Sequence, residues 1–344
     1  MKSMNAETKK QFETYMAELQ AANGGQDPTM SFSVSPSVSQ TIAKRVQESS
    51  DFLKRINIHQ VDNPEGEALR LGVSGGPIAR RTSGERETTD ASDLDANGYT
   101  CKQTNYDTHL TYAKMDAWAK TGHLKENVNS IRFRQIALDR IRTGFNGVRA
   151  EANSDLPGNP SLSDLNVGWL QYIRDNAPWM VFSESSLGAG EVRVGMTGDY
   201  VNLNALVYDV GRNVLPPWHH DDKGIVCLMS RRTQHYYSFP FMNATNGDGT
   251  GAPSASEQLA RDALLSAIKL DGRYAYVVPF IPDGTILLTS FDNLSIYDQR
   301  GTHRRRIVDN PKRNRVETYE SINEAYVVED ISRAVLIENI QPGY

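Results

Sequence analysis

LKENVNSIRFRQIALDRIRTGFNGVRA, residues 124–150, is the stretch from which the fold is read. Leu124, Val128, Ile131, Leu138, Ile141, Phe145 and Val148 recur in steps of 4, 3, 7, 3, 4 and 3, the spacing of one face of an α-helix. Helical from Leu124 to Ala150, the segment spans roughly 39 Å at 1.5 Å per residue. Its other faces carry Arg132, Arg134, Arg140, Arg142 and Arg149. Those arginines read as the solvated side of a long core helix, with contact to nucleic acid or acidic neighbours as the functional alternative.

Upstream of this helix, Tyr106, Thr108, Leu110 and Tyr112 alternate with Asp107, His109 and Thr111, as in a strand. Before that, Gly72 to Gly98 holds Gly75-Gly76-Pro77, Arg80-Arg81, Glu85-Arg86-Glu87, Asp90, Asp93 and Asp95 against few apolar residues. Such a stretch cannot bury itself inside a compact domain and reads as a projecting arm. With Ile56 and Ile58 alternating on its far side, a long hairpin is expected. Further upstream, Ser35-Pro36-Ser37 opens a helix through Val38, Ile42, Val46 and Leu53. Phe12, Tyr15, Met16 and Leu19 mark a first amphipathic helix, ended by Asn23-Gly24-Gly25 and Asp27-Pro28. A helix this short is marginal alone and needs a surface to pack on.

Downstream, a polar linker from Asn153 to Ser163 precedes a helix with Leu165, Trp169, Leu170 and Ile173. Asp199 is placed to cap a helix carrying Leu203, Leu206, Val207, Val210 and Val214. Gly224 to Met229 reads as a buried strand, and Ser254 with Glu257 as a capping box. Strands are expected at Tyr274 to Val278, Ile286 to Thr289, Leu294 to Tyr297, Tyr326 to Val328 and Val335 to Ile340. The order of elements is α+β, without the strand–helix alternation of a doubly wound sheet.

Composition narrows the function. The 344 residues, 39% hydrophobic, suffice for one elaborate domain or two modest ones. A net charge of -5 argues against a surface that wraps nucleic acid all round. Cys101 and Cys227 stand far apart, outside any disulfide framework or zinc spacing. No bilayer-spanning run or secretory signal is read.

The chemistry-bearing candidates are few. Trp218-His219-His220-Asp221-Asp222 has metal-ligand residue types, but adjacent histidines point in different directions. A polar loop and a metal site, the latter serving a metal-dependent enzyme, are the two readings. Gly247 to Gly251 has only the glycines of a phosphate loop. His303-Arg304-Arg305-Arg306 forms a basic cluster with Lys312, Arg313 and Arg315, followed by Glu317, Glu320, Glu324, Glu329 and Asp330. Successive segments of opposite charge suit a surface that matches copies of itself in a ring, and DNA contact is the alternative.

Several ordered stretches resemble the major capsid proteins of P2-like tailed phages. They are Pro36-Ser37-Val38, Gln47-Glu48-Ser49-Ser50-Asp51-Phe52-Leu53 with Arg55-Ile56-Asn57-Ile58, and Gly144-Phe145-Asn146-Gly147-Val148. Val167-Gly168-Trp169-Leu170-Gln171, Asn293-Leu294-Ser295-Ile296-Tyr297 and Tyr326-Val327-Val328-Glu329-Asp330 complete the set. The resemblance implies the HK97-like capsid fold: an N-terminal arm (1–55), an extended β-hairpin loop (56–112), a peripheral domain with a long spine helix (113–198), an axial domain (199–290) and a return to the peripheral domain (291–344). It implies pentamers and hexamers of an icosahedral shell around double-stranded DNA, assembled in a bacterial cytoplasm with a scaffolding protein, a protease and a portal. An encapsulin-like compartment shares the fold and is the runner-up. No cofactor and no catalysis are expected. Family members are trimmed at the N-terminus, which places a processing junction near Phe32 and Ser33, with residues 1–32 as propeptide. Arg80, Arg81, Glu85, Arg86, Asp90, Arg304, Arg305 and Arg306 are the candidate inter-subunit contacts.

Overall fold

The structure is a computed structural model. It describes all residues except 1–3, 31, 74–78, 80, 82, 84, 86, 87, 89–91, 121, 186–189, 196, 235–268 and 344, with the backbone alone for 67–73 and 92–97. In chain order the first elements are α1 (Ala6–Ala22), β1 (Phe32–Ser33), α2 (Pro36–Glu48) and β2 (Asn57–Val61). β3 (Glu65–Val73), β4 (Ser92–Thr100), β5 (Lys102–Asn105), β6 (Thr108–Thr111), α3 (Tyr112–Ala119), α4 (Leu124–Asn146) and α5 (Trp169–Asn176) follow. Then come β7 (Val181–Phe182), β8 (Val192–Val194), α6 (Leu203–Asn213), β9 (Val226–Met229), β10 (Lys269–Leu270), β11 (Arg273–Val277) and β12 (Ile286–Thr289). The chain closes with β13 (Leu294–Gln299), β14 (Arg304–Asn310), β15 (Arg315–Val328), β16 (Val335–Ile337) and β17 (Ile340–Pro342).

One sheet runs β1-β14-β15-β13-β2, with β5 and β6 also paired to β15. A second runs β10-β11-β9-β12-β16-β7. The 14-residue β15 is the spine of the first sheet, about 43 Å long at 3.3 Å per residue. Helix α4 packs along it. Its buried side is Phe133, Ile136, Ala137, Ile141 and Phe145, joined in the main core to Trp169, Leu170 and Ile173 of α5. A hairpin is present, but from other strands than expected: β3 and β4 pair antiparallel from Glu65↔Thr100 to Val73↔Ser92 as a two-stranded ribbon, whereas β2 and β6, read as its two sides, join β13 and β15 of the first sheet. Its base is pinned where the Tyr99 ring meets Tyr297 edge-on, 5.0 Å between centroids.

Several sequence expectations are corrected. Helix α2 ends at Glu48, and Leu53 is buried in the turn that follows. Helix α4 ends at Asn146, not Ala150, because Gly147 turns extended beneath α5, where a Cβ would lie 2.3 Å from the Asn166 carbonyl oxygen. Val148 is left exposed, and Ile131 is 55% exposed. Arg132 and Arg140, assigned to the solvated side, are buried at 5% and 3%. Of the strand read from Tyr106 to Tyr112 only β6 is strand, Tyr106-Asp107 separating it from β5, and Tyr112 opens α3, which the sequence reading did not contain. Asn202, not Asp199, caps α6, its side chain accepting from the Ala205 N–H at 2.8 Å. Val335 to Ile340 divides into β16 and β17 at Asn339, whose φ is +58°. β14 and the first half of β15 fall where only charge clusters had been read. The Gly247 to Gly251 loop and the Ser254 capping box lie outside the described residues.

The closest helix contact depends on Gly144. A Cβ there would lie 2.2 Å from Cζ3 of Trp169, a fully buried ring whose Nε1 donates to the Ser295 carbonyl at 3.0 Å. Gly144→Ala is expected to destabilise the unassembled subunit by about 2 kcal/mol through overpacking, read by urea denaturation. An unchanged midpoint would mean that α4 and α5 do not pack this tightly.

Candidate functional site

Two arginines of α4 meet two glutamates of β15 beneath the helix. Arg132 and Arg140 are eight residues apart, about 12 Å along a helix. Glu320 and Glu324 are four apart, about 13 Å along a strand. The spacings match, so both pairs form at once. Arg132 Nη1 lies 3.4 Å from Glu320 Oε2, and Arg140 Nη2 lies 2.8 Å from both Glu324 Oε1 and Asp298 Oδ1. Ile136 and Ile322, both buried, fill the space between.

Each pair extends into a network. Tyr106 donates to Glu324 Oε2 at 2.9 Å, within the same buried layer as Tyr326. His303 Nε2 lies 2.7 Å from Glu320 Oε1, and its Nδ1 lies 3.1 Å from the Ser39 hydroxyl of α2. Arg305 Nη2 donates to the Tyr15 hydroxyl of α1 at 2.9 Å. The amphipathic first helix therefore has its partner surface within the chain. Tyr15 is buried, and Phe12, Met16 and Leu19 pack toward α3 and α4.

The charges are strongly perturbed. Burial raises Glu320, but Arg132, the His303 hydrogen bond and Arg305 outweigh it and hold the carboxyl well below the usual range. Burial raises Asp298 to about 6, with Arg140 opposing and Glu324 adding to the rise. Burial also lifts the free thiols of Cys101 and Cys227 to about 12, so neither is a thiolate nucleophile near neutral pH.

The sequence-derived candidates separate in space. Arg304 and Arg306 are exposed on β14, whereas Arg305 between them turns inward and is spent on Tyr15. Arg81 and Glu85 are exposed, and Arg80, Arg86 and Asp90 lie outside the described residues. Phe32 and Ser33 form the edge strand β1, paired with Arg305 and Arg304, with Phe32 buried. The histidine cluster does not converge. His220 Nε2 donates to the Leu215 carbonyl at 2.8 Å, His219 Nε2 faces the Ser332 hydroxyl at 3.4 Å, and Asp222 accepts from Arg333 at 3.0 Å. Asp221 is exposed. Among the described residues no group of three or more His, Cys, Asp or Glu side chains could hold a metal ion. The arginine–glutamate networks escaped the sequence reading. The available signal was the second stripe on α4, Phe133, Ala137, Arg140, Ile141 and Gly144, which sets an arginine among core residues.

Residues 11–340 match the family model for the phage major capsid protein of the P2 family. The chain belongs to that family. It is 38% identical to the capsid protein of Escherichia phage P2, covering 99% of this chain and 96% of that protein. It is 34% identical to the major capsid protein of Serratia phage KSP20, covering 90% and 89%. A solved satellite phage P4 procapsid that includes the size determination (Sid) protein contains a chain similar at a TM-score of 0.78, with 37% identity and 99% of both chains covered.

A P2-family major capsid protein builds the virion's icosahedral shell from copies of itself, here with an HK97-like α+β fold. The membership favours neither the encapsulin-like compartment nor the metal-dependent enzyme. No helix among the described residues is long and apolar enough to cross a membrane.

The two carboxyls act oppositely on stability. Glu320, depressed in the fold, contributes stability above its ordinary 4.5 that is lost as pH falls. Asp298, raised from 3.8 to about 6, costs stability as pH rises through that window. Asp298→Asn removes the second effect alone. In urea denaturation, the stability of the variant relative to the parent is expected to improve by about 2 to 3 kcal/mol between pH 4 and pH 7. An unchanged difference would show that Asp298 is not held protonated.

Proposed function

We propose that the P2-family capsid subunit forms pentamers and hexamers that close around double-stranded DNA, using the β3–β4 ribbon as the part that crosses to a neighbouring copy. The single observation that carries this is the ribbon itself. Its strands are nine residues each and, among the described residues, pair with one another alone, and an isolated two-stranded hairpin is marginal in water. Residues 56–112 then act as the extended loop, 113–198 as the peripheral domain with α4 as spine, 199–290 as the axial domain and 291–344 as the return. Residues 1–55 are the arm. Arg81 and Glu85 near the ribbon tip, with Arg80, Arg86 and Asp90, supply charged contacts to neighbours. Arg304 and Arg306 supply another set or face the packaged DNA. The subunit performs no catalysis and needs no cofactor. A scaffolding protein, a protease and a portal act with it in the host cytoplasm.

Processing falls near Phe32-Ser33. The supporting geometry is a two-residue edge strand, which leaves its sheet by breaking very few ladder bonds. Mass spectrometry of mature particles is expected to show chains beginning at or near Ser33, and particles holding only full-length chains contradict the junction. Deleting 75–95 is expected to leave a cooperatively folding subunit that forms no closed shells when produced with its helper proteins. Normal shells in electron micrographs of that variant would refute the crossing role.

A further inference from the structure

Leu124, Val128 and Ile131 open the apolar stripe of α4, yet the main core takes none of them. They line instead a cleft of about 480 Å³ between α1, α3 and α4, together with Phe12, Leu110 and Trp118. Its size falls within the range of formed binding sites. Ile131, 55% exposed, stands at its edge.

The charges of the cleft have one sign. Lys114, Lys125 and Arg132 line it along with His109, and no carboxylate does. Arg132 is 5% exposed, and its Nε has no hydrogen-bond partner within the chain. Lys125 already pairs with Glu18 of α1, an amphipathic helix lying against the same walls. The site thus takes an apolar helix face and fastens it with an acidic residue. Leu124 is buried in the cluster around Tyr15, and Val128 and Ile131, one turn further on, carry that face out to the rim, where a further helix can interdigitate.

We propose that this cleft docks an acidic amphipathic helix contributed by a partner protein, laid beside α1 against α3 and α4. The apolar floor supplies the contact area and the lysines, Lys114 exposed at the rim and Lys125 beside Glu18, select the charge, Arg132 being neutralised by Glu320. A basic helix of the same shape is excluded by repulsion. The recognition is independent of the ribbon, and it belongs to the full-length chain, because α1 forms one wall of the cleft.

The test uses the full-length unassembled subunit and a fluorescein-labelled synthetic 18-residue helical peptide with leucines at i, i+3, i+4 and i+7 and glutamates on both flanks. Fluorescence anisotropy is expected to show saturable binding, at least roughly ten-fold tighter than for the same peptide with lysine flanks. Ile131→Glu and Lys114→Glu alter exposed positions, so thermal unfolding stays close to the parent while affinity for the acidic peptide falls roughly ten-fold. Equal binding of both peptides, no binding, or binding that ignores both substitutions overturns the proposal. So does an Ile131→Glu subunit that binds the peptide normally but no longer assembles, which assigns the cleft to a second copy of this chain. Failure of the ribbon deletion alone leaves this result unaffected.

Discussion

The commensurate spacing of two buried arginines on α4 and two buried glutamates on β15 is the constraint on which the rest of the subunit depends. A helix on a sheet can slide or rotate while keeping its apolar face covered, since dispersion and burial are non-directional. Two charge pairs about 12 Å apart remove that freedom, because a shift of one residue would leave both buried arginines without their carboxylates and Glu324 without its cation. Desolvation makes such pairs a weak source of net stability. Their value here is register. A spine helix in a repeating shell subunit must hold one position in every copy, because an error in angle multiplies around a closed surface.

The same charges tie the first forty residues to the body. Glu320 meets His303, which reaches Ser39 on α2, while Arg305 of the neighbouring strand reaches Tyr15 on α1. The N-terminal helices are therefore coupled to the spine through one polar layer rather than hanging free. The ribbon is the opposite case, with a fixed base at Tyr99 and Tyr297 and, among the described residues, no further strand paired to it. The molecule thus divides into a body whose buried charges are paired across helix and sheet and a ribbon whose strands, among the described residues, pair with each other.

Much of this was legible in the sequence where hydrophobic periodicity and burial coincide. α5, α6 and strands β9, β12 and β13 are such cases, the spine helix is one in part, with Ile131 and Val148 of its predicted face exposed, and the hairpin was read instead from a stretch too polar to bury itself. The reading failed where charged residues face inward. β14 alternates exposed and buried positions as any strand does, but one inward residue is Arg305, so it read as a basic run. β15 buries Glu317, Glu320 and Glu324 in the same way. Arg140 looks solvated until Glu324, 184 residues away, is known to lie beneath it. Tertiary pairing of this kind leaves no local trace. The candidate contacts fared similarly: three arginines in a row were equivalent in sequence, and strand alternation made one of them internal.

The most direct test of the register claim is a double-mutant cycle on Arg140 and Glu324 using methionine at each position, followed by urea denaturation of the unassembled subunit. Arg140→Met strands Glu324 and Asp298 without their cation and should cost about 3 to 5 kcal/mol, whereas Glu324→Met leaves Arg140 with Asp298 and should cost less. The account predicts that the double variant recovers much of that loss, with a coupling of about 2 kcal/mol or more. Simply additive losses would contradict it, and would mean that α4 is positioned by its apolar contacts alone.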